Sequence, residues 1–173
     1  NGQQVENSLS FYSWQAADIN DFSKLPIPFM CLGTDILTGR KVELKSGYLP
    51  DAIRASIAVP TIFTPVKIDS ALLIDGGAAS NFPVFEVKNM GAEIVIGSFA
   101  GFHVYEENDL QSMSAIVRQL IAMSSYEDYK DQKKLVDYYI EPELRDLSAS
   151  VFSNVDTIYQ RGYKAALPFK EKF

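Results

Sequence analysis

The stretch Ala71–Gly97 constrains the fold more than any other part of the chain. Ala71-Leu72-Leu73-Ile74 is a short apolar run, Asp75-Gly76-Gly77 breaks it, and residues 83–90 have the asymmetry of a helix, with Pro83 at the start and Gly91 past the end. Glu93-Ile94-Val95-Ile96-Gly97 then supplies a β-branched run of the kind that suits a strand covered on both faces. Strand, loop, helix and strand within residues 71–97 come close to the roughly 30 residues of a βαβ unit, with a right-handed crossover. On this reading Asp75 stands at the carboxyl end of a parallel strand, the edge where open α/β sheets bind ligands.

The flanking sequence fits an α/β layer structure. Residues 1–25 are polar with scattered aromatics and read as the end of a preceding element plus a connection. Residues 29–34 and 41–45, joined by the Leu37-Thr38-Gly39-Arg40 turn, predict a hairpin. Pro50-Asp51 opens a short helix with Ile53 and Ile57 on one side, halted before Pro60. Ser112 is placed to cap a helix that buries Met113, Ile116, Val117, Leu120 and Ile121 along one face. The charged run Tyr126–Lys134 reads as a solvated helix face, Leu135–Ile140 as a last strand, and Val151–Ala166 as a closing helix. No repeat, low-complexity tract or linker divides the chain.

Composition narrows the chemistry. One histidine, His103, and one cysteine, Cys31, are too few for the ligand sets of zinc sites, and a lone cysteine forms no internal disulfide. A net charge of −6 without a Lys/Arg cluster gives no source of attraction for a phosphate backbone, so nucleic acid is not an expected partner. No apolar run approaches the roughly 20 residues of a membrane-crossing helix. No phosphate-binding glycine loop occurs.

Five residues or motifs remain to be weighed for catalysis. Asp75-Gly76-Gly77 puts a carboxylate at a strand end, where two glycines let the chain turn sharply and a substrate come close. The same three residues also read as a plain turn, in which the aspartate bonds its own backbone. Ser98, straight after an apolar strand, fails as a nucleophile elbow because Gly97 is adjacent and Gly101 is three residues away. His103 is the one residue able to act as the base of a full triad, and otherwise reads as a solvated loop residue. Asp35 is best explained as the hydrogen-bond acceptor of the following turn, and Cys31 as a small buried hydrophobe.

Four ordered blocks between about Pro28 and Gly97 carry a family resemblance. They are Cys31-Leu32-Gly33-Thr34-Asp35 with Thr38-Gly39; Gly47-Tyr48-Leu49-Pro50-Asp51-Ala52-Ile53-Arg54-Ala55-Ser56 through Pro60-Thr61-Ile62-Phe63-Thr64-Pro65-Val66; Leu72-Leu73-Ile74-Asp75-Gly76-Gly77 with Asn81-Phe82-Pro83-Val84; and Met90-Gly91-Ala92. The chain thereby resembles the second half of bacterial patatin-like phospholipases. The resemblance implies a three-layer α/β/α fold with a mainly parallel central sheet, incomplete in this chain. It implies a lipid acyl hydrolase that uses a serine and an aspartate, with that aspartate at Asp75, Gly76 and Gly77 supporting the motif, and no metal or organic cofactor. The substrate is then a lipid or other acyl ester, met in transient contact with a membrane surface. A bacterial envelope location is implied, with the cytoplasm left open.

The sequence departs from the family pattern in two places. The glycine-rich oxyanion loop and the G-x-S-x-G serine are absent from residues 1–173, and Ala78-Ala79-Ser80 replaces the apolar residue and asparagine that relatives often carry. Residues 1–173 are therefore expected to be the C-terminal part of a single catalytic domain, inactive without an N-terminal segment of the same protein packed beside them. A competing reading is a non-catalytic α/β module for binding or scaffolding, in which Asp75 only fixes a turn.

Overall fold

The computed structural model describes residues 2–100, 107–144, 147 and 154–172. In chain order the elements are α1 (Gln3–Tyr12), β1 (Cys31–Asp35), β2 (Lys41–Leu44), α2 (Leu49–Ser56), β3 (Val66–Ile68), β4 (Ala71–Asp75), α3 (Val84–Asn89), β5 (Ile96–Ser98), α4 (Met113–Ser124), α5 (Tyr126–Lys133), β6 (Tyr138–Ile140) and α6 (Val155–Ala166), with short 3-10 turns between them. The chain divides into two compact units, residues 1–81 with 112–125 and residues 82–111 with 126–173, each with its own core. Among the described residues no helix is long and apolar enough to cross a membrane.

The first unit is built on a four-stranded sheet in the order β2-β1-β4-β3, and every pairing in it is antiparallel. This corrects the expectation of a mainly parallel sheet; what holds is a mixed α/β architecture. Local chemistry explains the difference. Asp35 accepts hydrogen bonds from the Leu37 N–H (3.2 Å) and the Thr38 hydroxyl (2.8 Å), and Gly39 takes φ +70°, so β1 reverses directly into β2. Asp69, with φ +53°, begins a two-residue link that folds β4 back on β3, and connections this short join only antiparallel strands. β1 and β3 thus occupy both edges of β4, and no edge remains for β5. The segment 71–97 is not a βαβ unit, because β5 pairs in parallel with β6 in a separate two-stranded sheet, Ile96 opposite Tyr138. Asp75 does end a strand, but an antiparallel one.

Phe22, Leu44, Ala52, Ala55 and Leu73 form the buried core of this unit. Phe22 comes from the polar leading segment, whose periodicity gives no hint of it, and α1 was equally unmarked. α2 turns Ala52, Ala55 and Arg54 inward rather than the expected Ile53 and Ile57, with Ile57 exposed. Small residues allow the helix to lie close on the sheet, which two isoleucines would prevent. Ser112 caps α4 as expected, its hydroxyl accepting from the Ala115 N–H at 3.2 Å. The apolar stripe of α4 does not bury a face: Ala115 is buried, whereas Met113, Ile116 and Leu120 are exposed.

In the second unit Phe82, Val84, Val95, Phe99 and Tyr129 form the core. Tyr129 stacks on Phe99 with ring centroids 4.4 Å apart, and Phe82 meets both rings edge-on. The run expected to be a solvated face is therefore only partly so: α5 buries Tyr129 and Gln132, and the Gln132 side chain accepts from the Phe85 N–H at 2.7 Å in the first turn of α3. β5 is covered on one face only, because Val95 is buried while Ile94 and Ile96 are exposed.

Candidate active site

Asp75 is the last residue of β4, opposite Gly33 of β1, and it caps the 3-10 turn Gly76–Ala78. Its own N–H donates to the Ala58 carbonyl at 3.0 Å, which fixes the strand end against the residues after α2. Carboxylate oxygen Oδ1 accepts from the Gly77 N–H at 2.7 Å, while Oδ2 has no partner among the described residues. The carboxyl is half-buried, and burial raises its pKa above the ordinary 3.8, opposed by the Gly77 hydrogen bond. This geometry pins one oxygen and leaves the other to take a proton. Desolvation favours the neutral acid, so the group moves toward the range in which it exchanges protons near neutral pH.

The two glycines serve different purposes. A Cβ at Gly76 would fall on the Leu32 carbonyl oxygen and stand 2.6 Å from its carbon, so only glycine lets the turn lie against β1. A Cβ at Gly77 would lie 2.6 Å from Asn81 Oδ1 and 2.9 Å from Asp75 Oδ1, in the space the carboxylate uses. Thr34 of β1 buries its hydroxyl beneath this turn, and at the end of α4 the Ser124 hydroxyl donates to the Ala78 carbonyl at 2.7 Å. The turn is braced from two elements.

The other candidates lie elsewhere. Ser98 ends β5 in the second unit, opposite Ile140, and the next residue, Phe99, continues the pairing by donating to the Ile140 carbonyl at 2.8 Å. Among the described residues no helix follows it to present N–H groups to an oxyanion. A Cβ on Gly97 would strike the Phe82 ring, so that glycine serves aromatic packing and not an elbow. Asp35 has the turn role expected of it, and hydrogen bonds from Thr38 first, then from the Leu37 and Leu72 backbone, hold its carboxyl below the ordinary range. Cys31 is half-buried against the first core, and burial pushes its thiol up to about 11, far from a reactive thiolate. His103 lies outside the described residues.

The sequence did not single out two further features. Thr34 lies within the Cys31–Asp35 block, where its residue type alone points to no role. Arg54 of α2 is 5% exposed, with its guanidinium over the Phe63 ring at 4.6 Å and Nη1 without a partner. It borders a recess of about 340 Å³ lined also by Gly2, Glu6, Asp51 and Val66, in which burial and the Glu6 charge raise the Asp51 pKa. Asp75 does not line that recess.

Comparison with known proteins agrees with the motif reading. Residues 20–88 match the family described as Patatin-like phospholipase. An uncharacterized NTE family protein of Mycobacterium tuberculosis is 40% identical over 83 residues, covering 45% of this chain and 23% of that protein. Lysophospholipase NTE1 of Mycosarcoma maydis is 28% identical over 166 residues, 82% of this chain and 9% of its own length. Lysophospholipase nte1 of Aspergillus terreus is 26% identical over 187 residues, 94% of this chain and 12% of its own. The chain thus spans less than a quarter of the length of these relatives. The Asp75-Gly76-Gly77 turn falls inside the matched stretch, and over residues 20–88 this chain is similar to the Patatin-like phospholipase family.

Proposed function

We propose that this chain is the aspartate-bearing part of a lipid acyl hydrolase, and that Asp75 is the general base of a Ser-Asp dyad whose serine lies outside residues 1–173. The observation that carries the reading is the Asp75 carboxyl: half-buried, its pKa raised by burial, one oxygen held by the Gly77 N–H and the other without a partner. The names of the fungal relatives add the substrate class, a lysophospholipid ester.

The chemistry follows from these properties. A serine hydroxyl is a poor nucleophile until its proton is taken, and Asp75 Oδ2 accepts it as the serine oxygen bonds to the ester carbonyl carbon. The tetrahedral intermediate collapses, the carbon–oxygen bond to the alcohol breaks, and Asp75 returns the proton to the leaving oxygen. Water then gives its proton to Asp75 and attacks the acyl-serine, releasing the fatty acid and restoring both groups. No histidine takes part. Donors for the oxyanion come from residues outside this chain, so residues 1–173 by themselves do not hydrolyse esters.

In the complete gene product, Asp75→Asn keeps the size and the Gly77 hydrogen bond but removes the base. Release of fatty acid from a lysophospholipid falls by at least about 10²-fold with the fold intact. A folded Asp75→Asn protein with wild-type turnover would show that Asp75 only turns the chain, and would favour the non-catalytic module.

A further inference from the structure

Thr34 lies in β1 opposite Ile74 of β4, with 5% of its surface exposed. Its hydroxyl crosses to the turn that follows β4. It donates to the Asp75 carbonyl at 2.9 Å, with the Gly76 carbonyl 3.4 Å away, and accepts from the Ala79 N–H at 3.1 Å. A hydroxyl has one hydrogen to give, so the two carbonyls share it, and its lone pairs remain for the amide. A single buried oxygen therefore ties the first residue of the turn to the residue just past it. It does so from a different strand, 41 residues away in sequence from Asp75 and 45 from Ala79.

We propose that Thr34 is a positioning residue for Asp75: by clamping the Asp75 carbonyl and the Ala79 amide it sets where the turn holds the carboxylate and the Gly77 N–H that grips it. This rests on the reading of Asp75 as the base. Besides this clamp, the Asp75 N–H donates to the Ala58 carbonyl at 3.0 Å, and the Ala79 and Ser80 N–H groups reach the Gly76 carbonyl at 3.1 and 3.0 Å, but none of these bonds holds the Asp75 carbonyl. Gly76 and Gly77 impose no side-chain packing, and Ala78 is held by the exposed Ser124 at the end of α4. Valine would fill the same volume as threonine but take the hydroxyl donor from the half-buried Asp75 carbonyl and leave the Ala79 amide only the Gly76 carbonyl at 3.1 Å, so the turn would shift to compensate. A shifted turn loosens the Gly77 hydrogen bond to Oδ1. That bond favours the ionised carboxylate, so its loss displaces the protonation of Asp75 to higher pH.

The test compares Thr34→Val, Thr34→Ser and Asp75→Asn in the complete gene product, using hydrolysis of p-nitrophenyl butyrate across pH with circular dichroism on each variant. Thr34→Val is expected to lower kcat/KM by about tenfold or more and to move the acid limb of the profile to higher pH. Thr34→Ser, which keeps the hydroxyl, restores both to near wild type. A folded Thr34→Val with wild-type rate and profile, while Asp75→Asn is inactive, overturns the positioning role and leaves the base assignment standing. An active Asp75→Asn overturns the base assignment itself. Should Thr34→Val not fold, Thr34→Ala takes its place, and the same comparison decides.

Discussion

One methyl group added at Gly76 probes the geometry of the site apart from its chemistry. The new Cβ would fall on the Leu32 carbonyl, 2.6 Å from its carbon and 2.9 Å from Leu32 Cβ. Carbon atoms settle about 3.5–4.0 Å apart, so something must retreat by about 1 Å. Leu32 is not free to do so: it is buried, paired with Glu43 of β2, and followed by Gly33, which is paired with both β2 and β4. The turn must move instead, which pulls Asp75 and Ala79 away from the Thr34 hydroxyl. Overpacking costs about 1–3 kcal/mol and a lost buried hydrogen bond about 1 kcal/mol more, so Gly76→Ala should destabilise by about 2–4 kcal/mol. For a chain of this size that lowers Tm by roughly 5–15 °C. Two other glycines calibrate the result. At Gly91, where φ is +97° and no atom lies within 4 Å, alanine suffers only the backbone conformation, about 1 kcal/mol. At Gly162 inside α6, with nothing within 4 Å, alanine stabilises by about 0.5–1 kcal/mol. Urea unfolding of the three variants in the complete protein gives the order directly. If Gly76→Ala is no worse than Gly91→Ala, the close approach of the turn to β1 is refuted.

The raised Asp75 pKa makes stability depend on pH and, on the proposed role of this carboxyl as the base, activity as well. Its folded-state pKa is raised, so the folded protein holds this proton more tightly than the unfolded chain; the contribution is fully present below the ordinary 3.8 and is lost as pH rises through the raised value. Asp75→Asn should therefore be at least as stable as wild type at pH 7, with the advantage disappearing toward pH 3, and denaturant midpoints showing the reverse would contradict the burial of the carboxyl. The rate should rise with pH along a limb lying above 3.8, since the base works only when ionised; a limb at or below that value refutes the raised pKa. In the second unit the Tyr139 hydroxyl donates to Glu141 at 2.7 Å and meets the Tyr129 hydroxyl at 2.6 Å, while burial first and these bonds second hold it protonated far above the usual range. Tyr139→Phe should cost about 1 kcal/mol in a urea midpoint without changing hydrolysis, and an unchanged midpoint would mean the network contributes nothing.

Local signals were legible in the sequence and pairing partners were not. The 31–44 hairpin, the Ser112 cap, the Pro83–Gly91 helix and the strand ending at Asp75 all rest on interactions within a few residues of one another. Strand–helix–strand order over 71–97 suggested a parallel unit, yet it says nothing about which strands flank β4. That was decided by the two-residue link at Asp69 and by β1, whose sequence separation from β4 leaves no periodic trace. Burial failed for a related reason. Ala52 and Ala55 beat Ile53 and Ile57 for the inner face of α2 because fit against a sheet rewards small size, which a hydrophobicity pattern ranks low. Tyr129 and Gln132 lay hidden in a run of charges because one aromatic and one amide per turn are enough to dock a helix whose remaining residues stay wet.

The site divides along the same line. Asp75-Gly76-Gly77 alone cannot separate a catalytic carboxylate from a turn, and the structure shows why the two readings were so close: Asp75 Oδ1 does accept from its own backbone two residues on, as a turn aspartate would. Three features set it apart from Asp35, which makes the same kind of bond. Asp35 uses both oxygens in its turn, and its hydrogen bonds lower its pKa. Asp75 uses one oxygen and is withdrawn from water, so its pKa moves the other way. Its carbonyl is also held by a threonine from the neighbouring strand. Two aspartates at strand ends, each followed by a glycine-containing turn, thus look alike in sequence, and burial together with a long-range hydrogen bond separates them, which is what the proposed role of Asp75 draws on.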